Sequence, residues 1–206
     1  AHAHAKYVGQ TLERIRNMLG EDVCIMAGNV ATYAGADYLA SCSADIIKVG
    51  IGGGSVCTTR IKTGFGVPNL TAIKNCARVD RSIVADGGIR NPGDIVKAIA
   101  FGADFVMLGS MLAGTRPTPG PVIRKKDANG NEVDVKSYRG MASSEVQMDY
   151  YGGIADWKTA EGVSTEVSYR ENEDEIINDI IGGLRSGLTY GGAATIREFQ
   201  RKLDFI

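Results

Sequence analysis

The chain predicts a parallel α/β fold of the (β/α)-barrel type, on three observations. Short apolar runs recur over residues 23–27, 45–49, 82–85 and 104–108, each rich in Val, Ile or Met and each closed by glycine or a polar turn. Helical patterns separate these runs at similar spacing, and near-continuous apolar strands alternating with helices make a parallel sheet. Glycine is abundant, 27 of 206 residues or roughly twice its usual share, without low complexity.

Each element follows in order. An amphipathic pattern predicts a helix over 6–19, ahead of the strand at 23–27. Helices over 32–40, 70–77 and 92–101 alternate with the later strands, the last with Asn91 as N-cap and Pro92 at its first position. Gly28, Gly50, Gly52, Gly53, Gly54, Gly87, Gly88 and Gly109 are expected at the carboxyl ends of the strands, the face where such folds bind ligands. Four βα units make half of an eight-stranded TIM barrel. Residues 1–206 are therefore expected to be its C-terminal half, the other half lying upstream or on a separate chain.

Residues 113–170 break the rhythm. Within them 121–140 reads as a hairpin turning at Asn129-Gly130, the strongest short hairpin signal. Residues 141–169 show little periodicity and are expected to form an irregular active-site flap. Helices over 173–186 and 193–203 finish the chain.

Lys and Arg total 23 against 24 Asp and Glu, so no positive field points to nucleic acid. No apolar stretch is long enough to span a bilayer and no secretory leader is visible, so a cytoplasmic protein is expected. Cys24, Cys42, Cys57 and Cys76 form no CxxC pair, which favours neither zinc nor a disulfide framework. Cys24, Cys42 and Cys76 read as small buried residues of a strand and helices. Cys57 differs: it sits on the glycine-rich loop at the ligand face, with Arg60 nearby to favour thiolate, the setting of a covalent nucleophile. The same loop offers amides for an anion, or carbonyls for a monovalent cation. His2 and His4 lack further ligands nearby and are weak evidence for a metal.

The stretch Ile46-Ile47-Lys48-Val49-Gly50-Ile51-Gly52-Gly53-Gly54-Ser55-Val56-Cys57-Thr58-Thr59-Arg60 resembles the signature loop of the inosine monophosphate dehydrogenase and guanosine monophosphate reductase family. Ala85-Asp86-Gly87-Gly88-Ile89, Val106-Met107-Leu108-Gly109-Ser110 and Tyr138-Arg139-Gly140-Met141 resemble its nucleotide-binding segments, in the family's order. The likeness runs over the whole chain. It implies that Cys57 bonds purine C2, with GMP or IMP as ligand. The dehydrogenases need an Arg-Tyr pair on the flap to activate water, and none occurs between Tyr150 and Glu161. They also carry glutamine before glycine where this chain has Glu161-Gly162, and the reductases pair that glutamate with a threonine, here Thr59. Residues 61–68 and the ending Asp204-Phe205-Ile206 also resemble reductases.

The resemblance thus implies the reductase branch, acting on GMP with NADPH, with the dehydrogenase and a non-catalytic nucleotide-binding half-barrel as alternatives. Cys57, Thr59 and Glu161 take the catalytic roles. Substrate contacts fall on Ser55, Asp86, Gly87, Gly88, Gly109, Ser110, Tyr138, Gly140, Met141, Ala142, Lys158, Thr159, Ala160, Glu161 and Gly162. At Ala142 the chain departs from the family, whose members carry serine or glycine. Cofactor contacts fall on Ile51, Gly52, Met141, Trp157, Lys158 and a turn of Ser186, Gly187, Leu188 and Thr189. A potassium site falls on Gly52, Gly54, Cys57 and Arg60, and the assembly implied is a homotetramer.

Overall fold

A computed structural model of the chain describes residues 2–202. Helix α1 (Lys6–Leu19) leads into strand β1 (Met26–Val30), followed by α2 (Tyr33–Ser41) and β2 (Ile46–Val49). The short α3 (Thr59–Thr63) and then α4 (Asn69–Cys76) precede β3 (Ser82–Asp86), and α5 (Pro92–Ala100) precedes β4 (Phe105–Met107). The four strands pair in parallel in the order β1-β2-β3-β4, the arrangement of consecutive βα units in a barrel wall. Asn91 caps α5 as its sequence predicts, its side chain accepting from the Asp94 N–H at 3.0 Å.

One face of this sheet is covered by helices. Ile47, Val49, Ile83 and Ala85 point into that layer and are buried, with Leu39, Ile73 and Ala98 packed above them. The opposite face is open. Met26 and Phe105 are 49% and 56% exposed on it, and Lys48, Asp86 and Met107 line its carboxyl end.

A second sheet is antiparallel, in the order β5-β6-β7, from β5 (Ile123–Lys126), β6 (Glu132–Arg139) and β7 (Ser164–Ser168). The hairpin turns where Asn129-Gly130 predicts, with Asp127 accepting from the Asn129 and Asn131 amides. Helix α6 (Ser144–Tyr151) lies between β6 and β7, and α7 (Glu173–Tyr190) and α8 (Ile196–Lys202) end the described chain.

Several expectations are corrected. Strand β1 begins three residues later than the apolar run, because the Arg16 guanidinium takes the Val23 carbonyl at 2.7 Å and Asp45 takes the Ile25 N–H at 2.7 Å. Cys24 is consequently exposed ahead of the strand, and Gly28 falls inside it. The expected irregular flap contains α6 and β7. The Ser143 side chain caps α6 by accepting from Val146 N–H, and Gly152 ends it in the left-handed region. The turn expected at Ser186, Gly187, Leu188 and Thr189 is helical, within the last turns of α7. Leu203 and the ending Asp204-Phe205-Ile206 lie outside the described residues.

Candidate active site

The carboxyl ends of β1–β3 open onto a cavity of about 830 Å³. Its floor is the loop after β2, which carries Ile51, Gly52, Gly54 and Cys57, and its far wall comes from the insertion between β6 and β7. The backbone stitches floor to wall. Val163 N–H donates to the Val56 carbonyl at 2.9 Å, Thr58 N–H to the Glu161 carbonyl at 2.9 Å, and Glu161 N–H to the Ala142 carbonyl at 3.1 Å.

This stitching brings Cys57, Thr59 and Glu161 together, although 102 residues separate the last two. The Cys57 thiol donates to Thr59 Oγ1 at 3.2 Å, and the Thr59 hydroxyl donates to Glu161 Oε2 at 2.8 Å. Thr59 is buried as the first residue of α3, a helix that periodicity did not announce. The partner of the thiol is therefore the threonine hydroxyl, whereas Arg60 lays its stem on Gly52 and Gly66. By contrast, burial pushes the Cys76 thiol up to about 11 against a smaller opposing pull from Arg78, so it stays protonated in the core.

Asp86 ends β3 at the cavity floor. Its Oδ2 accepts from Lys48 Nζ at 2.5 Å and from Asn29 Nδ2 at 2.9 Å, and Asn29 also donates to the Gly50 carbonyl at 2.7 Å. Gly87 follows at φ +95°, so close to the neighbouring loop that a Cβ would stand 2.8 Å from the Gly53 carbonyl carbon. Beside the cavity, Tyr138 Oη shares a hydrogen bond of 3.3 Å with Ser55 Oγ. The tyrosine reaches there over Gly109, where a Cβ would meet Oη at 2.8 Å.

Of the residues expected at the site, Ile51, Gly52, Gly54, Cys57, Thr59, Asp86, Gly140, Met141, Ala142, Trp157, Lys158, Thr159, Glu161 and Gly162 line the cavity. Ser55, Tyr138 and Gly109 meet next to it. Ser186, Gly187, Leu188 and Thr189 do not reach it: Gly187 lies against Val96 of α5 and Leu188 packs on the core. Asn29, Lys48, Met107, Gln147 and Ile154 line the cavity without having been expected there. Lys48 carried the one available signal, a charge inside an otherwise apolar strand.

The full described chain contains no helix long and apolar enough to cross a membrane. Comparison with known proteins agrees with the geometry. The model of the IMP dehydrogenase / GMP reductase domain matches residues 1–206. An inosine-5'-monophosphate dehydrogenase of Thermoplasma acidophilum is 46% identical over 214 residues, covering all of this chain and 43% of that protein. GMP reductase 2 of Bos taurus is 43% identical over 210 residues, covering all of this chain and 59% of that protein. A crystal structure of inosine 5' monophosphate dehydrogenase from Legionella pneumophila superimposes with a TM-score of 0.84 at 69% identity, covering all of this chain and 62% of that one. The chain thus spans about half the length of the curated relatives it matches. With its loop, its cysteine and its parallel sheet all in the family's order, the chain belongs to the IMP dehydrogenase / GMP reductase family of oxidoreductases.

Proposed function

We propose that the protein is a GMP reductase, converting GMP to IMP and ammonia with NADPH, and that residues 1–206 form the C-terminal half of its barrel. The observation that carries this reading is the chain of hydrogen bonds from the Cys57 thiol through Thr59 to Glu161, at 3.2 and 2.8 Å. Its direction suits the chemistry. As Cys57 adds to purine C2, its proton passes along Thr59 toward the Glu161 carboxylate, and C2 becomes tetrahedral. The same relay then returns a proton to the amino group, which leaves as ammonia and leaves a Cys57-linked thioimidate. NADPH, when bound, supplies the hydride for C2, after which expulsion of the thiolate releases IMP. A glutamine could hold Thr59 by a hydrogen bond, but only a carboxylate can carry this proton.

Asp86, with its Oδ2 engaged by Lys48 and Asn29, keeps Oδ1 for a ribose hydroxyl. Gly87, Gly88, Gly109, Ser110, Ser55 and Tyr138 surround the place for the 5′-phosphate, and Gly140, Met141, Ala142, Lys158, Thr159, Ala160 and Gly162 take the base. The cofactor fits beside Ile51, Gly52 and Met141. There Trp157 is 80% exposed with Lys158 Nζ 4.8 Å from its ring centre, a surface on which a planar ring stacks. A potassium ion suits the carbonyl oxygens of Gly52, Gly54 and Cys57, because carbonyls replace its hydration. Arg60 stands alongside that set, since a guanidinium cannot ligate a cation and its carbonyl accepts from Gly64 N–H at 3.1 Å. The open apolar face bearing Met26 and Phe105 supports covering by the other half of the barrel. The reading extends to a cytoplasmic homotetramer.

One observation favours a second reading: the 69% identical crystal structure is that of an inosine 5' monophosphate dehydrogenase. The test separates the two. Oxidation of NADPH with GMP is expected, and reduction of NAD with IMP in its place would establish the dehydrogenase. Cys57→Ala in the full-length protein is expected to abolish turnover while holding nucleotide affinity within about tenfold, ~1.4 kcal/mol. Residual turnover above a few per cent of wild type, on the order of 2 kcal/mol of lost transition-state stabilisation or less, would remove Cys57 from the mechanism.

A further inference from the structure

Two cations sit behind the proposed phosphate place with no part in the mechanism above. Lys136, on β6, is 4% exposed, and among the described residues no carboxylate lies within ion-pair distance of it. Its Nζ instead donates to the carbonyls of Thr115, Arg116 and Thr118, at 3.1, 3.0 and 2.5 Å. Arg170, just past β7, likewise donates to the carbonyls of Met111 and Ala113, at 2.7 and 2.6 Å. Burying a cation without a counter-ion costs several kcal/mol unless its donors are all used. Lys136 is such a cation, and half-buried Arg170 adds a second grip on the same segment, so the fold spends stability on that segment's position.

That segment is the continuation of Gly109-Ser110. Leu112 and Ala113 N–H groups turn back to the Gly109 carbonyl at 3.1 and 3.0 Å, so the stretch begins as a tight turn. Its carbonyls at Met111, Ala113, Thr115, Arg116 and Thr118 face the two cations, and Gly109 and Ser110 lead into it. The cations also fix the strand opposite. Lys136 and Tyr138, two residues apart, lie on the same face of β6. One grips the far end of the segment while the other reaches over Gly109 to Ser55.

We propose that Lys136 and Arg170 are positioning residues that hold Gly109, Ser110 and Tyr138 in register as a subsite for a phosphate monoester. The proposal rests on the reading above that the substrate's 5′-phosphate lies there. Its readout is the affinity ratio between a nucleotide and its nucleoside, which isolates the phosphate and which a merely structural role would not move. In the full-length protein, Lys136→Met and Arg170→Met are each expected to shrink the preference for IMP over inosine by about tenfold or more, with inosine affinity held within about threefold. Arg170→Lys, which keeps one charged donor, is expected to recover most of the preference. Lys136→Arg, too large for the carbonyl cage, should behave like the methionine variant and stands in for it if that one does not fold. Equal losses for both ligands, or a lower melting temperature with the preference intact, would overturn the proposal and make the cations structural anchors. Should the wild-type protein bind inosine as tightly as IMP, the phosphate reading itself fails, a result recognisable before any variant is made.

Discussion

The two sheets of this molecule are held together in different ways. In the parallel β1–β4 layer, Ile47, Val49, Ile83 and Ala85 are buried beneath helices, and apolar packing fixes their positions. In the antiparallel β5–β7 sheet, every residue of β5 is exposed, and ion pairs such as Arg124–Asp134 and Lys125–Glu166 cross between strands. The candidate site takes Cys57, Thr59 and Asp86 from a loop, the start of α3 and a strand end of the first region, and Tyr138 and Glu161 from the second. Stability should therefore reside mainly in one region, whereas chemistry needs both.

Truncating the core should have the largest effect on stability. Leu39 is fully buried under the sheet, so Leu39→Ala is expected to cost about 2–5 kcal/mol. Ile123, exposed on β5, should lose less than ~0.5 kcal/mol on the same truncation. Urea denaturation of the full-length variants measures both, and comparable losses would mean that the hairpin sheet is part of the same cooperative core.

A change in the second region should leave stability alone and strike the chemistry. Glu161→Gln keeps the size and one acceptor for Thr59 while removing the carboxylate. Ammonia release from GMP is expected to slow by about 100-fold or more, the low end for acid–base work. Hydride exchange between IMP and NADP should fall much less, because that half-reaction never handles the amine. Equal losses in both would make Glu161 a binding residue, and an unchanged ammonia rate would take it out of the mechanism.

The same division explains what the sequence made legible. Apart from the short α3 and the start of β1, the strands and helices of the parallel layer were readable because burial imposes its pattern locally. So were the cysteine loop and the hairpin turn at Asn129-Gly130. Helix α6 was not, since Met148, Tyr150 and Tyr151 are all exposed and it presents no apolar stripe. Strand β7 is polar and, among the described residues, pairs only with β6, so its existence depends on a partner about thirty residues away, beyond α6 and the loop after it. Helix α7 runs past its expected end because glycine ordinarily signals a stop. Gly183 and Gly187, one turn apart, instead bring α7 close onto Pro92 and Val96 of α5. The Lys48–Asp86 pair joins two strands 38 positions apart, a distance at which spacing alone carries no signal.

The smallest expected effect sharpens the contrast through acid titration. Asp45 immediately precedes β2 and meets Ile25, at the end of the loop after α1. The Ile25 backbone N–H and the Arg16 guanidinium hold its carboxyl below the ordinary carboxylate range, against a smaller opposing effect of burial. A carboxyl depressed on folding adds stability that is complete above its unfolded value, near ~3.9, and is lost as pH falls through the folded one. Because 44% of the side chain is exposed, solvent screens the pair, and Asp45→Asn is expected to cost less than about 1 kcal/mol at neutral pH. That cost should fade as pH drops below about 4, as the carboxyl is protonated first in the unfolded chain and then, at lower pH, in the folded one. Asp134, held down by Arg124 on the exposed hairpin, provides the counterpart, and Asp134→Asn should change the acid curve of global unfolding less. Chemical denaturation across the acid range distinguishes them. If the Asp45→Asn curve runs parallel to wild type at every pH, the loop carboxylate is not coupled to folding, and the contrast between the two regions rests on apolar burial alone.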